Sequence, residues 1–297
     1  MVDLEPAVSN AVPPLAHWTM QEPTDFAIIP DLTSLETIDR EIKFFPSSPE
    51  NPETLSAAQI ARWNEDGYLG PLDLYDPEAI AEVRSYFDEL LETTLSEGRD
   101  SYSISSAHLK HARVWDMLNH PRLVSCIRDL LGEDVIGWGA HFFCKMPMDG
   151  KQVDWHQDCS YWPLTPSQAV TVWLAIDDAD QENGCMEVYT GSHQHGLIDF
   201  EPSSPDAENV LNQSVQNPEQ YGSHRLTPLA AGQISLHSDL LVHGSSPNNS
   251  HRRRCGLTLR YCPASVRAYL RWNHKGVVVR GNADPELWPG AKRPESD

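Results

Sequence analysis

The chain is short of basic residues, of paired cysteines and of long apolar runs, and each shortage removes a class of function. Its 297 residues hold 22 Lys and Arg against 43 Asp and Glu, a formal net charge of −21. A surface of that sign repels phosphate backbones and anionic headgroups, so no nucleic-acid or membrane partner is expected. No stretch approaches the ~20 apolar residues of a membrane span, and the opening MVDLEPAVSNAVPPLAHW lacks a basic region followed by an apolar one. The six cysteines, Cys126, Cys144, Cys159, Cys185, Cys255 and Cys262, form no CxxC pair and sit in apolar or strand-like segments. Buried reduced thiols behave this way, and a cytoplasmic location is the expectation.

A hydrophobic share of 40% supports one substantial core. Residues 1–54 are rich in proline and acid without periodicity and read as an extended arm, in which Phe26-Ala27-Ile28-Ile29 and Phe44-Phe45 could dock on that core. A single domain over 55–290 follows. Ser56 and Gln59 form a capping-box pattern opening a helix that Gly67 stops. Asp76 and Pro77 open a second, with Ile80, Val83, Phe87, Leu90 and Leu91 on one stripe, and a third spans 121–131 before Gly132. Beyond residue 134 the period shortens. Segments 135–146, 153–158, 169–176, 185–189, 233–237 and 255–262 are β-branched or aromatic and separated by Gly, Pro, Asn or Asp. Strands without intervening helices predict a mainly β fold with flanking α-helices, an antiparallel sandwich or barrel. The aperiodic segment of about 197–228 is too long for an ordinary connection and reads as a lid-like insertion.

In Trp155-His156-Gln157-Asp158 an imidazole and a carboxylate stand two residues apart, which on a strand sends both to one face. His243 follows far along the chain. Two imidazoles and one carboxylate on one octahedral face leave three positions open, the arrangement that suits Fe(II). After His243 the run Gly244-Ser245-Ser246-Pro247-Asn248-Asn249-Ser250-His251 turns the chain into another strand. If Arg254 opens that strand, then Arg254, Gly256, Thr258 and Arg260 share a face. A guanidinium inside a barrel needs an anion, and Arg254 suits bidentate pairing with the distal carboxylate of 2-oxoglutarate. Arg252 and Arg253 fit a solvated turn. His237-Ser238-Asp239 repeats the HxD spacing, but three ligands from one loop would leave His156 and Asp158 unexplained. Ser192-His193-Gln194-His195 reads as a structural turn.

The runs WHQDCSYWPL, VTVWLAIDDADQENGCMEVYTGSH and HGSSPNNSHRRRCGLTLRY resemble, in order and spacing, the phytanoyl-CoA dioxygenase family of non-haem iron oxygenases. The resemblance covers about residues 55–280. It implies a double-stranded β-helix, a jelly-roll of cupin type, in which His156, Asp158 and His243 bind Fe(II) and Arg254 holds 2-oxoglutarate, with dioxygen as the second co-substrate. It further implies that Ser245 hydrogen-bonds the co-substrate and that Trp173 lines its pocket, although core packing of Trp173 stays open. Retention of Asp158 points to oxygen transfer, since related halogenases leave that position to chloride. Tyr161 and Trp162 are candidate walls for a small-molecule substrate, or else packing residues. Arg267, Arg271, Lys275 and Arg280 could gather at the mouth or be surface charges. Two alternatives remain at this stage: a cupin-like metal enzyme that does not use 2-oxoglutarate, and a catalytically silent binding or sensor barrel. Substrate identity and oligomeric state are not legible.

Overall fold

A computed structural model describes residues 30–203 and 208–297; Phe26-Ala27-Ile28-Ile29, named above as a docking point, lies outside the described residues. Helix α1 (Leu32–Glu36) is followed by α2 (Ala57–Asp66), strand β1 (Tyr68–Asp73), α3 (Pro77–Ser96), α4 (Ala112–Leu118) and α5 (Pro121–Leu131). The caps act as the sequence predicts. Ser56 Oγ accepts from the Gln59 amide while the Gln59 side chain accepts from the Ser56 amide, and Gly67 ends α2 at φ +68°. Asp76 accepts from the Ala79 amide, with Pro77 in the first turn of α3.

The remaining strands are β2 (Val135–Lys145), β3 (Val153–His156), β4 (Leu164–Thr165), β5 (Val170–Ala175), β6 (Glu187–Thr190), β7 (Phe200–Pro202), β8 (Gln213–Val215), β9 (Ser223–Leu226), β10 (Gln233–Ser238), β11 (His243–Ser245), β12 (Arg254–Pro263), β13 (Arg267–Ala268) and β14 (Val277–Arg280). They pair antiparallel into a six-stranded sheet, β1-β10-β5-β12-β2-β14, and a four-stranded sheet, β3-β11-β6-β9. Short pairs β4–β13 and β7–β8 complete the pairings between these strands. This is the jelly-roll, or double-stranded β-helix, with helices on one side.

Alternation decides which face is which. Val172 and Leu174 of β5 and Leu257 and Leu259 of β12 join Phe87, Leu91, Leu123 and Ile127 of α3 and α5 in the main core. Phe87 stacks on Phe142 at 4.9 Å. Burying each such side chain contributes about 2 kcal/mol. The opposite face of the six-stranded sheet, carrying Thr171, Trp173, Arg254, Thr258 and Arg260, looks across a cavity at the four-stranded sheet. Residues 30–54 are extended apart from α1 and lie against this body: Arg40 donates to the carbonyls of Cys159 and Trp162, and Ser47 to that of Leu130. The Asp129 carboxylate accepts the amides of Glu53, Thr54 and Leu55. No described helix is long and apolar enough to cross a membrane.

Candidate metal centre and its cavity

β11 runs beside β3 with His243 opposite His156. Gly244 permits this approach, because a Cβ there would stand 2.7 Å from the Val153 carbonyl oxygen. β3 ends at His156, two residues sooner than sequence alternation suggests, and Asp158 opens a short 3-10 turn. Gln157 accounts for the break. Its amide donates to the carbonyls of Gly196 and Leu240 and accepts from the Ile198 amide, drawing the chain out of the ladder. Asp158 nonetheless converges on the histidines: one ligand atom from each of His156, Asp158 and His243 lies within 4.8 Å of the others, and all three residues are buried.

The imidazoles are held in matching ways. Nδ1 of His156 meets the Asp154 carbonyl at 2.8 Å, and Nδ1 of His243 meets the Leu241 carbonyl at 2.9 Å. A carbonyl can only accept, so each Nδ1 carries the proton and each Nε2 presents a lone pair toward Asp158. Burial, with neighbouring positive groups, lowers the pKa of both histidines and favours the neutral, ligating form. Burial alone would raise the Asp158 carboxyl. His237, His243 and Arg260 outweigh it and hold the carboxyl well below the usual carboxylate range. Thr171 Oγ1 donates to its Oδ2 at 2.9 Å. Two neutral nitrogens and one carboxylate oxygen are the donor set that a divalent transition metal such as Fe(II) takes.

Around this centre an open cavity brings together every residue that the sequence assigned to the metal, the co-substrate or the substrate, Arg254, Ser245, Trp173, Tyr161 and Trp162 included. The Arg254 register holds. Its Nε and Nη2 donate to the Gly184 carbonyl at 2.9 and 2.6 Å, Nη2 also donates to Ser245 Oγ at 3.1 Å, and the guanidinium sits 5.5 Å from the Trp173 ring. Trp173 can lie over β12 because residue 256 is glycine; a Cβ there would be 2.1 Å from Trp173 Cζ2. Lys145, opposite Arg254 in the ladder, directs its amine at the carbonyls of Ser245 and Ser246 and so fixes that end of β11.

The second HxD divides. His237 lines the cavity, its Nε2 3.6 Å from Asp158 Oδ2, beyond hydrogen-bond reach, and neither ring nitrogen has a partner among the described residues. Asp239 instead accepts from Ser167. His193 is structural: it meets the Asn64 carbonyl and packs on Phe44 beneath Gly67. Of the four cations named at the mouth, Lys275 lines the cavity and is buried, while Arg280 pairs with Glu53 and Glu133 on the outside. The sequence reading put Arg260 on the face of Arg254 without giving it a role, and did not assign His237, Trp138 or His141 to the wall. Alternation carries the signal for His141 and His237, since Gly139, Arg260, Thr171 and His237 fall in one row across the sheet, whereas Trp138 lies at the register shift of β2 and β12.

The family model described as phytanoyl-CoA dioxygenase matches residues 63–256. L-proline trans-4-hydroxylase from Streptomyces griseoviridis is 27% identical over 231 residues, covering 67% of this chain and 84% of the relative. A solved apo structure of the non-heme monooxygenase ThoJ superposes with a TM-score of 0.66 at 25% identity, over 80% of this chain and 88% of that one. EctD from S. alaskensis, solved with 2-oxoglutarate and 5-hydroxyectoine, gives a TM-score of 0.66 at 19% identity over 86% and 95%, a likeness of fold.

Proposed function

Because the chain belongs to the phytanoyl-CoA dioxygenase family, we propose that it is an iron- and 2-oxoglutarate-dependent oxygenase in which His156, Asp158 and His243 hold one Fe(II) and Arg254 anchors the co-substrate. The observation that carries this reading is the pair of Nε2 lone pairs facing a buried carboxylate, with an arginine that has no ion pair among the described residues in the same cavity. When bound there, iron supplies the coupling of 2-oxoglutarate decarboxylation to dioxygen-driven hydroxylation, or a related oxidation, of a small molecule.

The chain's own residues prepare this chemistry. Gly184 and Ser245 lock the Arg254 fork, so a distal carboxylate meets donors already in place. Trp173 and Met186 cover the co-substrate end, and Tyr161 and Trp162 wall the substrate end, excluding water from the reacting carbon. The catalytic unit is one domain over about residues 55–290. Within the insertion of 197–228, Leu211 reaches the cavity and Gln213 accepts from Ser160, which supports a covering role. Conversion of 2-oxoglutarate to succinate by the Fe(II)-loaded protein, lost in His243→Ala, tests the assignment. An iron-replete protein that makes no succinate with any of a broad metabolite panel would overturn it. Limited proteolysis tests the cover, since cleavage within 208–228 should slow when 2-oxoglutarate and Fe(II) are added, and an unchanged rate would reject it.

A further inference from the structure

β12 carries a second inward arginine that the co-substrate does not need. Arg254 and Arg260 are six residues apart on one face, roughly 20 Å along an extended strand. Arg260 pairs across the ladder with Thr171, whose hydroxyl binds Asp158, so it stands at the metal end of the cavity. Space for it is made by Gly139, where a Cβ would stand 3.2 Å from Arg260 Cδ. Arg260 makes no ion pair among the described residues, and its Nε is buried without a hydrogen-bond partner. A second buried donor without a partner, Trp138 Nε1, lines the same wall. Asp158 is the one carboxylate lining the cavity among the described residues, and it faces the two histidines.

The buried Arg260 Nε and Trp138 Nε1, without acceptors among the described residues, cost free energy unless an acceptor arrives. The body between them is aromatic: Arg260 lies 5.3 Å from the Trp162 ring, and Trp138 contacts both Trp162 and Trp272. We propose that Arg260, with Trp138 beside it, binds an anionic oxygen group of the primary substrate, a carboxylate or phosphonate, so that the oxidised carbon lies within a few bonds of that anion. The inference rests on the iron and 2-oxoglutarate reading and names the substrate class for the same site. It also assigns separate tasks to the two arginines, Arg254 for the co-substrate and Arg260 for the target.

The test uses the full chain loaded anaerobically with Mn(II), a paramagnetic substitute for Fe(II), and 2-oxoglutarate. The probes are ¹³C-acetate, methylphosphonate observed through ³¹P, and the neutral ¹³C-acetamide. A bound probe near the metal relaxes faster. Expected is saturable relaxation of at least one anion and none of acetamide, with affinity for that anion reduced tenfold or more in Arg260→Gln and partly kept in Arg260→Lys. The exposed Arg252→Gln control should match the wild type. Relaxation of 2-oxoglutarate protons, read in the same samples, reports the metal and co-substrate site and the fold of each variant. If 2-oxoglutarate is relaxed but neither anion is, if acetamide is relaxed equally, or if Arg260→Gln binds the anion unchanged, the proposal is overturned. Loss of 2-oxoglutarate relaxation in the wild type would instead overturn the underlying functional reading and this inference with it.

Discussion

Four arginines stand on or just before β12, and they divide by face. Arg252 pairs with Asp180 and Glu182, and Arg253 with Asp177 and Asp88, on the outside of the sheet. Arg254 and Arg260 point into the cavity and make no ion pair among the described residues. In a chain with 43 acidic residues, carboxylates are plentiful, so their absence from the inner face is a property of the fold. An outer arginine stabilises the protein through partners it already has. An inner one has no such partner among the described residues, and under the proposed function it waits for an anion that comes and goes.

The largest effect is expected from removing the proposed metal centre. His156→Ala, Asp158→Ala or His243→Ala should each abolish turnover and reduce bound iron below a tenth of an equivalent by mass spectrometry, with the circular-dichroism spectrum retained. Full activity in an iron-assayed His243→Ala protein would refute the ligand set. Next is Arg254→Ala. Truncating one side of a buried charge pair costs roughly 2–5 kcal/mol, which is a rise of about thirty-fold or more in the KM for 2-oxoglutarate, while iron affinity without co-substrate stays near wild type. A co-substrate titration that finds the rise in Arg253→Ala instead would invert the division of faces.

Arg253→Ala should leave that KM alone and lower stability. It bonds Asp177, a carboxylate only 4% exposed that also accepts the Cys255 amide and pairs with Arg84, and losing a hydrogen bond to such a charged group costs about 2 kcal/mol, measurable by urea unfolding. Arg252→Ala, at an exposed pair, should shift the unfolding midpoint by nothing detectable.

The converse case is Asp239, a buried carboxylate without an ion-pair partner among the described residues. Burial, chiefly, raises its carboxyl to about 7. The folded chain then keeps a proton that the unfolded chain, with an aspartate near its ordinary ~3.9, has released. Stability therefore falls as pH rises from about 4 to about 7 and levels off above. Asp239→Asn should flatten that slope. Equal slopes in the two proteins, compared by unfolding at pH 5 and pH 8, would assign the dependence to other groups.

What the sequence revealed follows from how locally each feature is encoded. Caps and apolar stripes fixed α2, α3 and α5, and two-residue alternation placed Arg254, Thr258 and Arg260 on one face and Val172 and Leu174 on the other. The elements it did not show lack such marks. β1 contains Gly70-Pro71, which reads as a turn; α4 has no side-chain cap; and every residue of β9 is exposed, so no alternation betrays it. His237 joins the cavity only because β10 lies next to β5, a neighbour 60-odd positions away in the chain, and pairs it with Thr171. Lys275 sits in a 3-10 turn without periodicity. Long-range pairing of this kind has no local signature.

The Nδ1 contacts of His156 and His243 reach back two residues to main-chain carbonyls. The orientation of both rings is thus written in the path of the backbone. Substitution at the half-buried position 154 leaves that carbonyl in place, whereas Leu241 is fully buried and a change there acts through packing. Descendants of this chain can therefore change the cavity wall, and with it the molecules they oxidise, while inheriting an undisturbed centre.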